Sequence, residues 1–183
     1  ALAGDPPADG SPAGGAFTHA EELVELIRSH GDDFSIGVAA HPELHPRSTN
    51  RAEDRRHLAR KIELADFAIT QFFFDPAAYF GLLDRLSALG CDLPVIPGIM
   101  PVTNLAQITR FAQLSGTPMP PAVIARLEAV AGDAAAVRAV GVELATELSA
   151  ALLDGGAPGL HFYTLNRSTS TLEVFNQLGA LAR

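Results

Sequence analysis

Four short stretches hold the residues able to do chemistry. Ile69-Thr70-Gln71-Phe72-Phe73-Phe74-Asp75 carries one amide inside an apolar run. A buried amide must be hydrogen-bonded, so Gln71 either binds neighbouring backbone or reaches a ligand. His41-Pro42-Glu43-Leu44-His45-Pro46 offers two imidazoles in a rigid polar loop. Asn104 and Gln107 follow a third stretch, and Tyr163 and Arg167 follow a fourth. His41, His45, Asp75 and His161 supply the atoms of a metal site. The two loop histidines sit among prolines, however, and cannot form the paired ligands of a helix face, so no metal is expected. A nucleophile elbow, a Walker loop and a G-x-G-x-x-G turn are all missing from the sequence.

These stretches share one place in the chain, the end of a strand. Phe34 to Ala40, Phe67 to Phe73, Pro94 to Pro101 and Gly159 to Tyr163 read as strands, each followed by helical periodicity. Thr18-x-x-Glu21, Asn50-x-x-Glu53 and Ser170-x-x-Glu173 read as capping boxes. Asp75 with Pro76, and Thr103 or Asn104, read as helix starts. Helices are expected over 76–89, 122–131 and 134–153, among others. Alternating strands and helices imply a parallel α/β sheet. Four such units are half of an eight-stranded barrel, with an open sheet as the alternative. Leu2 reads as the end of a further strand, which would put Asp5 at the level of the other polar residues; the bland reading of Asp5 is a turn residue. In a barrel these strand ends converge on one face. The default reading of Arg60 and Lys61 is a solvated helix face.

Composition narrows the class. The chain has 183 residues, 48% of them hydrophobic, and a formal net charge of -8. That suits one domain over residues 1–183 with a real core and argues against a nucleic-acid backbone as partner. A small anionic ligand stays compatible with the charge, because local cations and helix N-termini decide such binding. The single Cys91 excludes an internal disulfide and fits a reducing, cytoplasmic setting. Apolar runs all fall short of the roughly 20 residues of a membrane span.

Taken together, Ile69–Asp75, Pro97-Gly98-Ile99-Met100-Pro101-Val102 and His161-Phe162-Tyr163-Thr164-Leu165-Asn166-Arg167 resemble the methylenetetrahydrofolate reductase family in order and spacing. Pro42-Glu43-x-His45-Pro46 and Leu2-x-Gly4-Asp5-x-Pro7 extend the resemblance along essentially the whole chain. It implies a (β/α)8 TIM-barrel fold, of which this chain would hold the C-terminal half. It also implies FAD as cofactor, NADH or NADPH as hydride donor, and reduction of 5,10-methylenetetrahydrofolate to 5-methyltetrahydrofolate. By the same resemblance, Asp5 and Gln71 take the catalytic positions, and Gln71, Gln107, Phe111 and Arg167 contact substrate. Asp5, His19, His41, His45, Asp54, His57, Arg60, Lys61 and Tyr163 fall at FAD-contacting positions. Arg60 and Lys61 suit a pyrophosphate there.

Some residues depart from the family pattern. Ala3 stands where an arginine is common, His19 and His41 stand where tyrosine occurs, and Lys61–Asp66 lacks an Ala-Gly pair and is one residue shorter. The family's catalytic glutamate belongs to strands upstream of Ala1. The expectation is therefore a half that pairs with a missing N-terminal half or forms a homo-oligomer. The competing expectation is a non-catalytic remnant that only self-associates.

Overall fold

The structure, a computed structural model, describes residues 1–2, 15–17, 19–46 and 48–181. Four strands, β1 (Gly37–Ala40), β2 (Phe67–Phe72), β3 (Val95–Ile99) and β4 (His161–Phe162), form one sheet in that order. Every neighbouring pair is parallel. All four C-terminal ends therefore lie along one edge of the sheet. The helices are α1 (Ala20–Ser29), α2 (Arg51–Glu63), α3 (Pro76–Ser87), α4 (Leu105–Ser115), α5 (Pro121–Glu128), α6 (Ala134–Asp154) and α7 (Thr169–Leu181). The parallel strand-helix alternation is the half-barrel pattern expected of a TIM-type fold. No helix among the described residues is long and apolar enough to cross a membrane.

Local chemistry sets most helix starts. The Asn50 side chain accepts from Ala52 and Glu53 N–H, Asp75 from Ala77 N–H, and Asn104 from Gln107 N–H. Each satisfies an orphan donor of the first turn. Two starts differ from expectation. Helix α1 is capped by His19, whose N–H donates to Glu22 Oε2 at 3.3 Å, one residue later than the Thr18–Glu21 box; Thr18 itself lies outside the described residues. Helix α7 begins at Thr169, with Leu172 N–H bonded to the Ser168 carbonyl. Ser170 is buried inside its first turn, and Glu173 binds Arg138 at 2.6 Å instead of closing a box.

Strand β1 is shorter than expected, and Phe34 is 65% exposed. The Asp66 carboxylate takes the Ile36 N–H at 2.6 Å and Arg28 Nη2 at 2.8 Å, so side chains bind the segment before Gly37. Those two bonds, the Ile36 N–H first, hold the Asp66 carboxyl below its ordinary range. Strand assignment does not reach Ala1 or Leu2, but Ala1 nitrogen donates to the Gly37 carbonyl at 2.6 Å.

The larger core joins Val38, Ala40, Ala68, Val95 and Ile99 of the sheet to Leu58, Ile62, Leu82, Leu86 and Leu152 of the helices. A second cluster lies by the C-terminal strand ends, where Phe72, Val102, Ile108, Val123, Leu127 and Val137 meet Phe74, Phe111 and Tyr163. Gly141 lets α6 press against this region: a Cβ there would collide with the Val102 carbonyl.

Candidate functional site

The ladder between β2 and β3 is irregular at the point where the sequence places its amide. Ile69 pairs with Ile96 and Phe72 with Gly98, so β2 holds one residue more than β3 across the interval. Such a bulge frees main-chain groups and re-aims a side chain. Here side chains take up the freed groups. Gly98 N–H donates to Thr70 Oγ1 at 2.8 Å, and Tyr163 Oη donates to the Thr70 carbonyl at 2.8 Å. Phe72 N–H donates to Gln71 Oε1 at 3.0 Å. Thr117 Oγ1 donates to the Phe72 carbonyl at 3.3 Å, tying the end of α4 to the strand.

Gln71 is thus partly the backbone-satisfied glutamine that sequence alone allowed. The Phe72 donor fixes which end of the amide is oxygen. Its Nε2 group makes no hydrogen bond among the described residues, and the side chain is half-buried. Two donors therefore stay available at a strand end.

The second group lies after β1. His41 and His45 form an edge-to-face pair with ring centroids 4.6 Å apart. Burial holds the His41 imidazole down at a pKa of about 4, helped by His45, Lys61 and Arg55, so the ring is neutral at pH 7. Burial raises the Glu43 carboxyl, against the pull of its own backbone N–H, Arg55 and Arg51. Arg55 is 2% exposed and binds the carbonyls of His41, Pro42 and Glu43. Asp54 turns out to be its ion-pair partner, at 2.8 Å from Nη1. The sequence reading missed Arg55, Thr70 and Gly98. The spacing Arg55, Leu58, Ala59, Ile62 puts Arg55 on the buried stripe of α2 and was the available signal.

Lys61 is also less open than a solvated helix face suggests. Its Nζ donates to the Ala39 carbonyl at 2.6 Å, on the edge of β1 that faces away from β2. Burial lowers its pKa, with Asp54 and Glu21 opposing. His57 and Arg60 are exposed on α2, and His19 is exposed at the head of α1. Gln107 is exposed in the first turn of α4, and Phe111 packs on the cluster around Phe72. Arg167 is exposed just after Leu165 and Asn166, which both have positive φ, at 48° and 61°. Tyr163 is half-buried, its ring 4.9 Å from that of His161, and burial raises its pKa. Asp5 lies outside the described residues. Of the four atoms suggested for a metal site, Asp75 caps α3 and the imidazoles pair with other rings.

The donor set fits a flavin nucleotide. Arg60 and Lys61 are cations that could hold an anionic group such as a pyrophosphate, since an ammonium with three donors can keep Ala39 while binding an anion. The rings of Tyr163, His41, His45 and Phe111 are flat surfaces against which a planar group could lie. The hollow of about 330 Å³ lined by Ala1, Ile27, Phe34, Ser35, Ile36 and Gly37 is at the opposite end of β1 and holds none of these groups.

Comparison with known proteins gives the family. Residues 1–179 match the family described as Methylenetetrahydrofolate reductase. The chain is 39% identical to Methylenetetrahydrofolate reductase 2 of Saccharomyces cerevisiae over 99% of its own length and 32% of that protein's. It is 38% identical to the 5,10-methylenetetrahydrofolate reductase of Salmonella typhimurium, over 98% of this chain and 60% of that one. The Escherichia coli enzyme of the same name is 37% identical with the same coverage. The chain therefore spans from about a third to three fifths of these relatives' length. A solved structure of an uncharacterised Clostridium thermocellum protein, described as binding two copies of 5-methyl-5,6,7,8-tetrahydrofolic acid, shares the fold. Its TM-score is 0.57 at 15% identity, over 88% of this chain and 59% of that one. The chain belongs to the methylenetetrahydrofolate reductase family.

Proposed function

We propose that the protein takes part in the FAD-dependent reduction of 5,10-methylenetetrahydrofolate to 5-methyltetrahydrofolate, with NADH or NADPH as hydride donor, in one-carbon metabolism that feeds methionine. The observation that carries this reading is the free Nε2 of Gln71, held at the bulge of β2 by the bond from Phe72 N–H to its oxygen. A preset amide donor of this kind suits the acceptor edge of a pterin or a nicotinamide. FAD, when bound, supplies the hydride relay between the two substrates.

The chain's own residues bind and orient. Arg60 and Lys61 neutralise the pyrophosphate, assisted by His57 and His19. His41, His45 and Tyr163 present their rings to the flavin, and Asp5 accepts hydrogen bonds from the pterin. Gln107 and Phe111 hold the substrate from α4, and Arg167 pairs with a folate carboxylate. The exposed Leu172 and Phe175 of α7, and Phe34 beside β1, favour association with another barrel segment or a second copy. A cytoplasmic setting fits the reducing chemistry.

The test is a purification with FAD supplied. A visible flavin band retained after gel filtration, bleached anaerobically by NADH or NADPH and restored by 5,10-methylenetetrahydrofolate, is the expected result. A protein that never retains FAD overturns the proposal, and a band that folate does not restore overturns its substrate.

A further inference from the structure

The loop His41–Pro46 is held by a residue for which the family resemblance gives no role. Arg55 lies on the stripe of α2 that also carries Leu58, Ala59 and Ile62, and it is 2% exposed. Burying a guanidinium costs far more than burying the leucine this position would accept, unless its donors are satisfied. Four are. Nη1 donates to the His41 carbonyl at 2.9 Å and to Asp54 Oδ2 at 2.8 Å. Nη2 donates to the Pro42 and Glu43 carbonyls, each at 2.6 Å.

The loop explains why the guanidinium is there. Pro42 contributes no N–H, and Pro46 removes a second, so the turn has few donors of its own for its carbonyls. A planar fork can serve three consecutive carbonyls at once, whereas an ammonium is a compact point charge. We propose that Arg55 is a positioning residue for the candidate site: by clamping the carbonyls of His41, Pro42 and Glu43, it fixes the edge-to-face imidazole pair of His41 and His45. The effect on cofactor binding rests on the proposed function; the clamp itself does not.

Nuclear magnetic resonance of the intact protein, labelled in arginine and histidine, tests both parts. In the wild type, the Arg55 Nη protons exchange with water far more slowly than those of exposed Arg60. In Arg55→Lys the charge is kept but the fork is lost, so the loop loosens and the His41 titration moves from about 4 toward 6.5. The same variant releases FAD faster, by roughly tenfold, as when an outer partner of a ligating group is removed. Arg55 protons that exchange as fast as those of Arg60 overturn the clamp, even where the variant does not fold. An Arg55→Lys protein that folds with an unchanged His41 titration also overturns it. If the wild type binds no FAD, the proposed function fails while the exchange and titration still judge the clamp.

Discussion

The Tyr163 hydroxyl reaches the Thr70 carbonyl at 2.8 Å, joining the segment after β4 to β2 over the top of β3. Gly98 of β3 lies between them and gives its N–H to the side chain of the same threonine. The sheet thus trades regular ladder bonds for side-chain bonds where Gln71 sits. This trade keeps main-chain groups at the bulge satisfied while the Gln71 amide keeps its Nε2 donors unbonded among the described residues. The bulge is the means by which this fold makes a polar position inside an apolar strand.

Tyr163→Phe keeps the ring and removes that bond. The buried Thr70 carbonyl then loses its partner, and stability falls by about 1–2 kcal/mol. Urea unfolding reads this as a lower midpoint at constant slope. Thr70→Val removes the partner of Gly98 N–H, and the double variant is non-additive because the two bonds share one bulge. A midpoint identical to wild type in Tyr163→Phe refutes the role given to the hydroxyl.

Two glycine-to-alanine changes have opposite expected signs. At Gly98 a Cβ would strike the Thr70 carbonyl and stand 2.6 Å from Tyr163 Cε2, so Gly98→Ala costs about 1–3 kcal/mol. At Gly81, inside α3, a Cβ meets only the flexible end of Arg85 at 3.1 Å. Gly81→Ala gains about 0.5–1 kcal/mol from lost unfolded-state freedom. Thermal melts of the two variants are compared; equal shifts of one sign contradict the close packing at β3.

What the sequence made legible was local. Asn50, Asp75 and Asn104 cap helices through bonds to residues two or three positions away, so their spacing suffices. The apolar run at Phe67 stands out for the same reason. The bulge was not legible, because it exists only in the register between β2 and β3. Arg55 hid in a run of charged residues that reads as a solvated face, and its burial depends on a loop 12 to 14 positions away. Phe34 looked like strand because nothing nearby shows that Asp66, 30 positions on, takes the Ile36 N–H. The caps of α1 and α7 slipped by one or two residues, where several hydroxyl or polar residues compete for one place.

Gln71→Glu separates the two ends of the amide. A carboxylate still accepts from Phe72 N–H, so the bulge and the melting temperature stay close to wild type. It offers no N–H donors to a ligand. Affinity for 5-methyltetrahydrofolate, followed by fluorescence titration of the FAD-loaded protein, drops about tenfold or more. Unchanged affinity in a folded Gln71→Glu protein removes Nε2 from the binding reading.

His41 gives the protein an acid-sensitive term whose sign follows from burial. Its folded pKa is about 4, below the ordinary 6.5. The unfolded chain therefore binds a proton in that interval that the folded chain refuses, and stability rises with pH there. The contribution is fully present above 6.5, falls as pH drops through the window, and is gone below about 4. The gap corresponds to about 3 kcal/mol. Glu43 works against it, because its raised pKa makes the folded state hold a proton longer and so lose stability as pH rises above the ordinary carboxyl value. Wild type alone thus shows the sum of two opposed slopes. His41→Gln removes one, so urea midpoints of the pair, taken from pH 6.5 down to about 4, should converge as the solution is acidified. Parallel curves across that window show that the His41 ring is not the buried neutral base described here.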